Sequence, residues 1–447
     1  MTNVGEKLSR QYGLATAIAL LVGQVIAVGI FLTPAGMAKS VGSPFWLLAV
    51  WLVMAAMALS GALCYGELAS RYPEAGGSYV YLREAYGRPM AFLYGWMVLL
   101  VLDPGLTAVF AVGLTSYIDH LVPVSEVAKP LVAIFAVLMV AAVNIIGAGI
   151  SSSILKALTV LKVGLLLVII FYGFLGGRGD VSNFSPFFAA PPNMFEALAG
   201  GLVGAFFAFA GWWELSRLAG EIRDPERNLP RALFYGVLIL AVLYIATSAA
   251  FMYLVPTAGI TSDETFAAQA GEALFGSAGG KIFAAVVIIS VLGTLVAYLM
   301  ASPRVYYSMA RDGLFFDAVA RLHPRLRTPH RAILIQVLLA SILILAGNFQ
   351  QIISYFFFIV VVFIGMTVAG LFVLRRREYA GYRTPFYPLT PIIFLSITAI
   401  VLFFIGMRDP TRTLLGMTVV LLGLPVYYFV FRTKGEFGDG VDKDDLV

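Results

Sequence analysis

The chain is poor in the groups that most chemistry needs. It has one cysteine, Cys64, and three histidines, His120, His323 and His330, among 447 residues. A single thiol in an apolar run excludes a disulfide framework. The histidines all fall in polar stretches between apolar ones, so no buried His pair, Ser-His couple or HExxH set exists for an intramembrane enzyme or a metal centre. No GxxxxGK[ST] stretch is present, and nothing else calls for a cofactor, so ATP-driven work is unsupported. Charge is scarce as well: 12% of residues are Asp, Glu, Lys or Arg, against about 25% in soluble proteins. The net charge is +5, but the basic residues are spread over short loops, which excludes a nucleic-acid patch. The first apolar run is too long for a signal peptide and lacks a small-residue cleavage site, so it is read as an uncleaved insertion signal.

What is abundant is apolar length. Hydrophobic residues make up 60% of the chain, which predicts an all-α integral membrane protein. A helix crossing a ~30 Å hydrocarbon core needs roughly 20 apolar residues. Twelve segments meet this, at about 14–38, 45–69, 88–118, 129–147, 155–175, 195–220, 229–255, 280–310, 330–347, 350–374, 387–407 and 411–432. They leave a short N-terminal stretch (1–13) and a polar tail (433–447) expected to be disordered. Arginines cluster at 71–88, 223–231, 304–331 and 375–383, whereas the alternate loops hold only Lys129, Arg178, Lys281, Arg408 and Arg412. By the positive-inside rule both termini are cytoplasmic, in a multi-pass cell-membrane protein.

Two segments are interrupted. The first carries Val25-Ile26-Ala27-Val28-Gly29-Ile30-Phe31-Leu32-Thr33-Pro34, and the sixth carries Phe207-Ala208-Phe209-Ala210-Gly211-Trp212-Trp213. Five helices separate them, so the two breaks have opposite membrane orientation. Paired interruptions in corresponding positions of two halves point to a transporter binding site. Glycines that only ease helix packing are the alternative.

Four stretches carry a family resemblance. They are Ile26–Phe31; Tyr65–Tyr79, reading YGELASRYPEAGGSY; Gly220–Ala232, reading GEIRDPERNLPRA; and Ala310–Leu314 with Thr328-Pro329 beyond it. In these the chain resembles the amino acid–polyamine–organocation superfamily, most closely the L-type amino acid transporter branch and its prokaryotic relatives. The resemblance implies a leucine-transporter-type fold. A first inverted repeat would cover 14–175, a second 195–374, and two extra helices 387–432. Some members of that branch pair with a single-span glycoprotein. Whether this chain has an accessory subunit or forms a homo-oligomer stays open.

The expected site follows from the breaks. If the first helix stops near Ala27 and resumes after Gly29, the amides of Ile30 and Phe31 form a helix N-terminus that suits a substrate carboxylate. Val25, Ala27, Val28, Gly29 and Ile30 are its candidate residues. Relatives commonly carry serine at the position of Val28, so capture here rests on backbone donors. Carbonyls from Phe207 to Ala210 end the other half-helix and suit an α-ammonium group. Phe207, Ala208, Ala210 and Gly211 are candidates there. By resemblance Phe207 matches an aromatic that closes over the substrate, and Trp213 takes a pocket position that it would reshape.

Ionisable residues inside spans are functional candidates by default. Lys162 in the fifth segment matches, by resemblance, a lysine whose ammonium replaces a bound sodium ion, held by carbonyls near Gly23 or Val25 and by Thr294. A snorkelling lysine is the alternative. Asp103, before Pro104-Gly105, admits two readings: a proton carrier or counter-charge for a cationic substrate, or a cap on the break that Pro104 makes. Glu214 and Arg217 stand at i,i+3 spacing, either as a neutralising pair or as part of an inner gate. The expected function is secondary active amino acid transport by alternating access, sodium-independent, through exchange or proton coupling. The alternative is a proton-coupled polyamine or cationic amino acid transporter using Asp103.

Overall fold

A computed structural model describes residues 8–177, 179–256, 266–347, 349–408 and 410–432. Among them every regular element is helical, apart from one isolated bridge between Tyr12 and Ile222. Ten helices among the described residues are long and apolar enough to cross a membrane, and two shorter apolar helices, Leu14–Val25 and His330–Ala346, are found with them. The expected tail, Asn348 in the hairpin between segments nine and ten, and Arg178 lie outside the described residues.

The first segment is two helices, α1 (Leu14–Val25) and α2 (Val28–Val41). The next are α3 (Pro44–Arg71), the short α4 (Ser78–Tyr86), and α5 (Arg88–Met97), which runs through a π-turn at Val98–Leu102 into α6 (Asp103–Leu121). The π-turn ends two residues before Pro104, whose ring removes a backbone donor. Then come α7 (Ala128–Ile146) and α8 (Ala148–Leu175), the latter starting seven residues before the sequence-based bound of 155. The sixth segment is α9 (Met194–Phe209), followed after a break by a tight 3-10 helix, Trp212–Glu221. α10 (Pro225–Leu254), α11 (Phe266–Phe275), α12 (Ser277–Ala301) and α13 (Pro303–Arg311) follow. The chain ends with α14 (His330–Ala346), α15 (Phe349–Leu374), α16 (Leu389–Arg408), α17 (Pro410–Leu421) and a last run of turns to Phe431. The short helices α4 and α11 escaped the sequence reading because neither is long and apolar enough to register as a span.

The arginine-rich loops share one face. Arg83 binds Asp312 at 2.7 Å, and Arg71 donates to the carbonyls of Leu374 and Arg377. Arg304 holds Glu221 at 2.8 Å. The N-terminal segment joins the same face: the amides of Gln11 and Tyr12 donate to the Glu221 carbonyl, and the amide of Arg223 donates back to the Tyr12 carbonyl. The Phe431 ring ends near that of Phe316, which follows α13. Both ends of the described chain therefore lie on the arginine-rich face.

Candidate substrate site

The two breaks meet in the middle of the protein. In the first, Ile26 (ψ 81°) and Ala27 (φ −116°, ψ −153°) leave helical geometry, and α2 restarts at Val28. The interruption is thus two residues earlier than glycine alone suggested. The amides left without an intrahelical partner are those of the first turn, Val28, Gly29 and Ile30, and not Phe31. The side chain of Val28 lies outside the described residues. Gly29 sits inside that turn for a different reason. A methyl built on it would lie 2.9 Å from the Ala208 Cα, so only glycine lets the two broken helices approach this closely.

In the second break, Ala210 is extended and Gly211 has φ +104°. Space is not the constraint there: the nearest atom to a methyl on Gly211 would be Val25 Cγ2 at 3.8 Å. The positive φ is. The Phe207 carbonyl is taken by the Ala210 amide at 3.2 Å, which leaves the carbonyls of later residues in that turn for other donors.

Between the breaks is a largely apolar cavity. Val25, Ala27, Gly29, Phe207, Ala208, Ala210, Gly211 and Trp213 all line it, so eight of the ten sequence candidates face one space. Ile30 is fully buried and does not line it. Residues the sequence reading did not name complete the wall: Leu106 and Phe110 of α6, Tyr298 of α12, Phe357 and Val360 of α15, and Gln24. Gln24 is 6% exposed, and its Nε2 has no hydrogen-bond partner among the described residues. A glutamine two residues before the break in an apolar run was the available signal.

Lys162 is wholly buried. Its ammonium donates to the carbonyls of Gly23 at 2.5 Å and Ile26 at 2.8 Å, and to Ser290 O and Thr294 Oγ1 at 3.3 Å each. Ser290 Oγ and Thr294 Oγ1 also donate to Ile26 O, at 3.2 and 3.1 Å. The lysine therefore does not snorkel. It occupies a cage of oxygens that the break in the first helix frees. The Val25 carbonyl goes elsewhere, accepting from the Tyr244 hydroxyl at 2.9 Å. Lys156, nearer the end of α8, is exposed.

Asp103 is also fully buried, and its carboxylate is saturated. Arg217 Nη1 reaches both oxygens at 3.0 and 3.1 Å, Tyr298 donates to Oδ1 at 2.7 Å, and Tyr306 donates to Oδ2 at 2.8 Å. It makes no helix-capping bond. The cap reading is thereby corrected: the carboxylate of Asp103 is spent on Arg217, Tyr298 and Tyr306 and not on the break before Pro104. Arg217 in turn lies 2.6 Å from Glu214 Oε2, as an ion pair without an aligned N–H. Its Nη2 reaches Tyr94 at 3.3 Å. Arg217 of the i,i+3 pair is thus the middle of a buried acid–base–acid chain that joins α6 to the 3-10 helix and, through Tyr298, to α12. Glu214 is the member that lines the cavity, and its Oε1 accepts from Trp213 Nε1 at 2.8 Å. Pairing across so many intervening positions left no trace in local spacing.

The cavity, the caged lysine and the paired breaks come together between the helices at the centre of the protein. A model of the amino acid permease family matches residues 12–429. The chain belongs to the amino acid permease family. It is a membrane transporter of the amino acid–polyamine–organocation superfamily and not an enzyme. This permease is 31% identical to the serine/threonine exchanger SteT of Bacillus subtilis (strain 168), over 96% of this chain and 98% of that one. It is 30% identical to the large neutral amino acids transporter small subunit 2 of Mus musculus, over 95% and 81%. It is 28% identical to the cystine/glutamate transporter of Homo sapiens, over 94% and 85%. These relatives place the permease with the L-type branch and its prokaryotic relatives.

Proposed function

We propose that this permease moves amino acids by sodium-independent alternating access, as an exchanger or with proton coupling. The substrate carboxylate sits on the free amides of Val28, Gly29 and Ile30, where the helix dipole and three open donors favour an anion. The α-ammonium takes carbonyls at the end of α9. Phe207 and Phe357, with ring centroids 6.1 Å apart, cover the site, and Trp213 with Glu214 limits its depth. The fold underlying this reading is the five-plus-five inverted repeat with two further helices, twelve spans in all, with the arginine-rich face and both termini in the cytoplasm. SteT's exchange of serine and threonine favours exchange of a small amino acid.

The observation that carries the reading is the cage around Lys162. Its oxygens come from the break in α1–α2 and from α12, as a cation site between two moving bodies would require, and a fixed ammonium fills it. A resident lysine leaves no vacancy for sodium. The Glu214–Arg217–Asp103 chain closes the path on the arginine-rich side of the cavity, which makes it the inner barrier.

Uptake into proteoliposomes tests this. Labelled amino acids are offered with and without sodium, a pH gradient and internal substrate. Uptake that internal amino acid or a proton gradient accelerates, and that sodium leaves unchanged, is expected. Acceleration by sodium overturns the lysine argument, and no uptake or binding under any condition overturns the whole reading.

A further inference from the structure

A second cavity, of about 590 Å³, opens on the arginine-rich face, away from the substrate site. One wall is the start of α10, with Arg227, Arg231, Phe234 and Tyr235. The other is Tyr382 and Pro385 of the loop before α16. Its floor is tight: at Gly66 of α3 a methyl would lie 3.1 Å from the Pro230 Cα, so α3 and α10 close the groove from behind.

The charges in this region are not alike. Arg71 is used on backbone carbonyls, and Arg375 is clamped on Glu67 and stacked over Tyr387 at 3.8 Å. Arg227 and Arg231, one helical turn apart, are exposed, and their guanidiniums make no hydrogen bond or ion pair among the described residues. Glu226 also lines the cavity and opposes them, leaving one net positive charge. Directly above, α10 presents Tyr235, Leu238, Ile239 and Val242, 38 to 60% exposed, as a continuous apolar strip. Two free guanidiniums, a pair of tyrosines and an apolar strip running into the bilayer match the two ends of one molecule. Arginines near an anionic leaflet are worth about 1 kcal/mol each, and tyrosines favour the headgroup level.

We propose that this groove is a binding site for an anionic phospholipid, with its phosphate between Arg227 and Arg231 and one acyl chain along Leu238 and Val242. The site lies outside the transport path, and the proposal does not depend on which amino acid is carried.

Native mass spectrometry of the full chain, released from mixed phosphatidylglycerol and phosphatidylcholine micelles, tests it. Wild type should retain one phosphatidylglycerol in preference to phosphatidylcholine. R227Q/R231Q should lose that preference about thirtyfold, the equivalent of roughly 1 kcal/mol for each arginine. R227K/R231K should keep most of it, which separates loss of charge from misfolding, and E226Q should strengthen it. Preference unchanged in R227Q/R231Q overturns the proposal. Displacement of the lipid by millimolar glycerophosphate alone also overturns it, in favour of a soluble phosphate ligand.

Discussion

Gly29 and Ala208 meet backbone to backbone, with 2.9 Å between the Ala208 Cα and the point where a methyl on Gly29 would stand. The contact ties the restart of the first broken helix to the last turn before the second break. A Cβ there cannot be absorbed by rotating a side chain, because the opposing atom is backbone.

Gly29→Ala is therefore expected to separate the two breaks by a few tenths of an ångström and reduce kcat/KM for uptake at least tenfold, with a loss of about 1–3 kcal/mol in stability from overpacking. Gly204→Ala serves as a comparison, since its methyl would meet only the flexible Met37 side chain at 2.9 Å. Equal transport by the two variants would refute the argument. Initial rates in proteoliposomes and a thermal melt in detergent read both terms.

Removing the Lys162 ammonium strips the Gly23 and Ile26 carbonyls of their charged donor. Hydrogen bonds to a charged group contribute roughly 1.5–3 kcal/mol each. Lys162→Met, similar in length and uncharged, is expected to lower the melting temperature clearly and abolish uptake. A variant that melts like wild type would show that the cage contributes nothing to the fold.

The Arg217 guanidinium serves two carboxylates at once. Arg217→Met leaves Asp103 and Glu214 buried with no cation between them, and breaking such a site by removing one partner costs about 3–5 kcal/mol. Asp103→Asn should cost less, because Arg217 still has Glu214. A double-mutant cycle on Asp103 and Arg217, measured by denaturant or thermal unfolding, should give a coupling energy of about 1–3 kcal/mol. Additive losses would mean that the two residues do not act together.

Gln24 holds a buried amide nitrogen, at the edge of the cavity, with no partner among the described residues. An unsatisfied buried polar group costs roughly 1–3 kcal/mol. Gln24→Leu is thus expected to stabilise the substrate-free protein and to raise KM, with kcat little changed. A destabilised variant with unchanged KM would assign the amide to packing alone.

The spans, the two breaks and the gathering of arginines in alternate loops were legible in the sequence, because hydropathy over about 20 residues and charge asymmetry are local signals. So were eight cavity residues, since both breaks are marked by glycine. The exact point of the first break was not: glycine marks it, yet Ile26 and Ala27 depart from the helix while Gly29 relieves a contact with α9. That contact depends on a helix far along the chain. The partner of Asp103 was illegible for the same reason. Arg217 comes 114 positions later, and only packing decides that it turns toward α6 as well as toward Glu214. Gln24, Tyr298 and Phe357 look like ordinary members of apolar runs until the helices are assembled around one space.

The pairing of Tyr12 with Glu221 and Ile222 makes the start of the chain a handle on the sixth segment. A fluorophore attached near Arg10 would ride with the 3-10 helix that carries Trp213, Glu214 and Arg217. Its distance to a second dye on the opposite face would then show, in single molecules, whether that helix moves while substrate is carried.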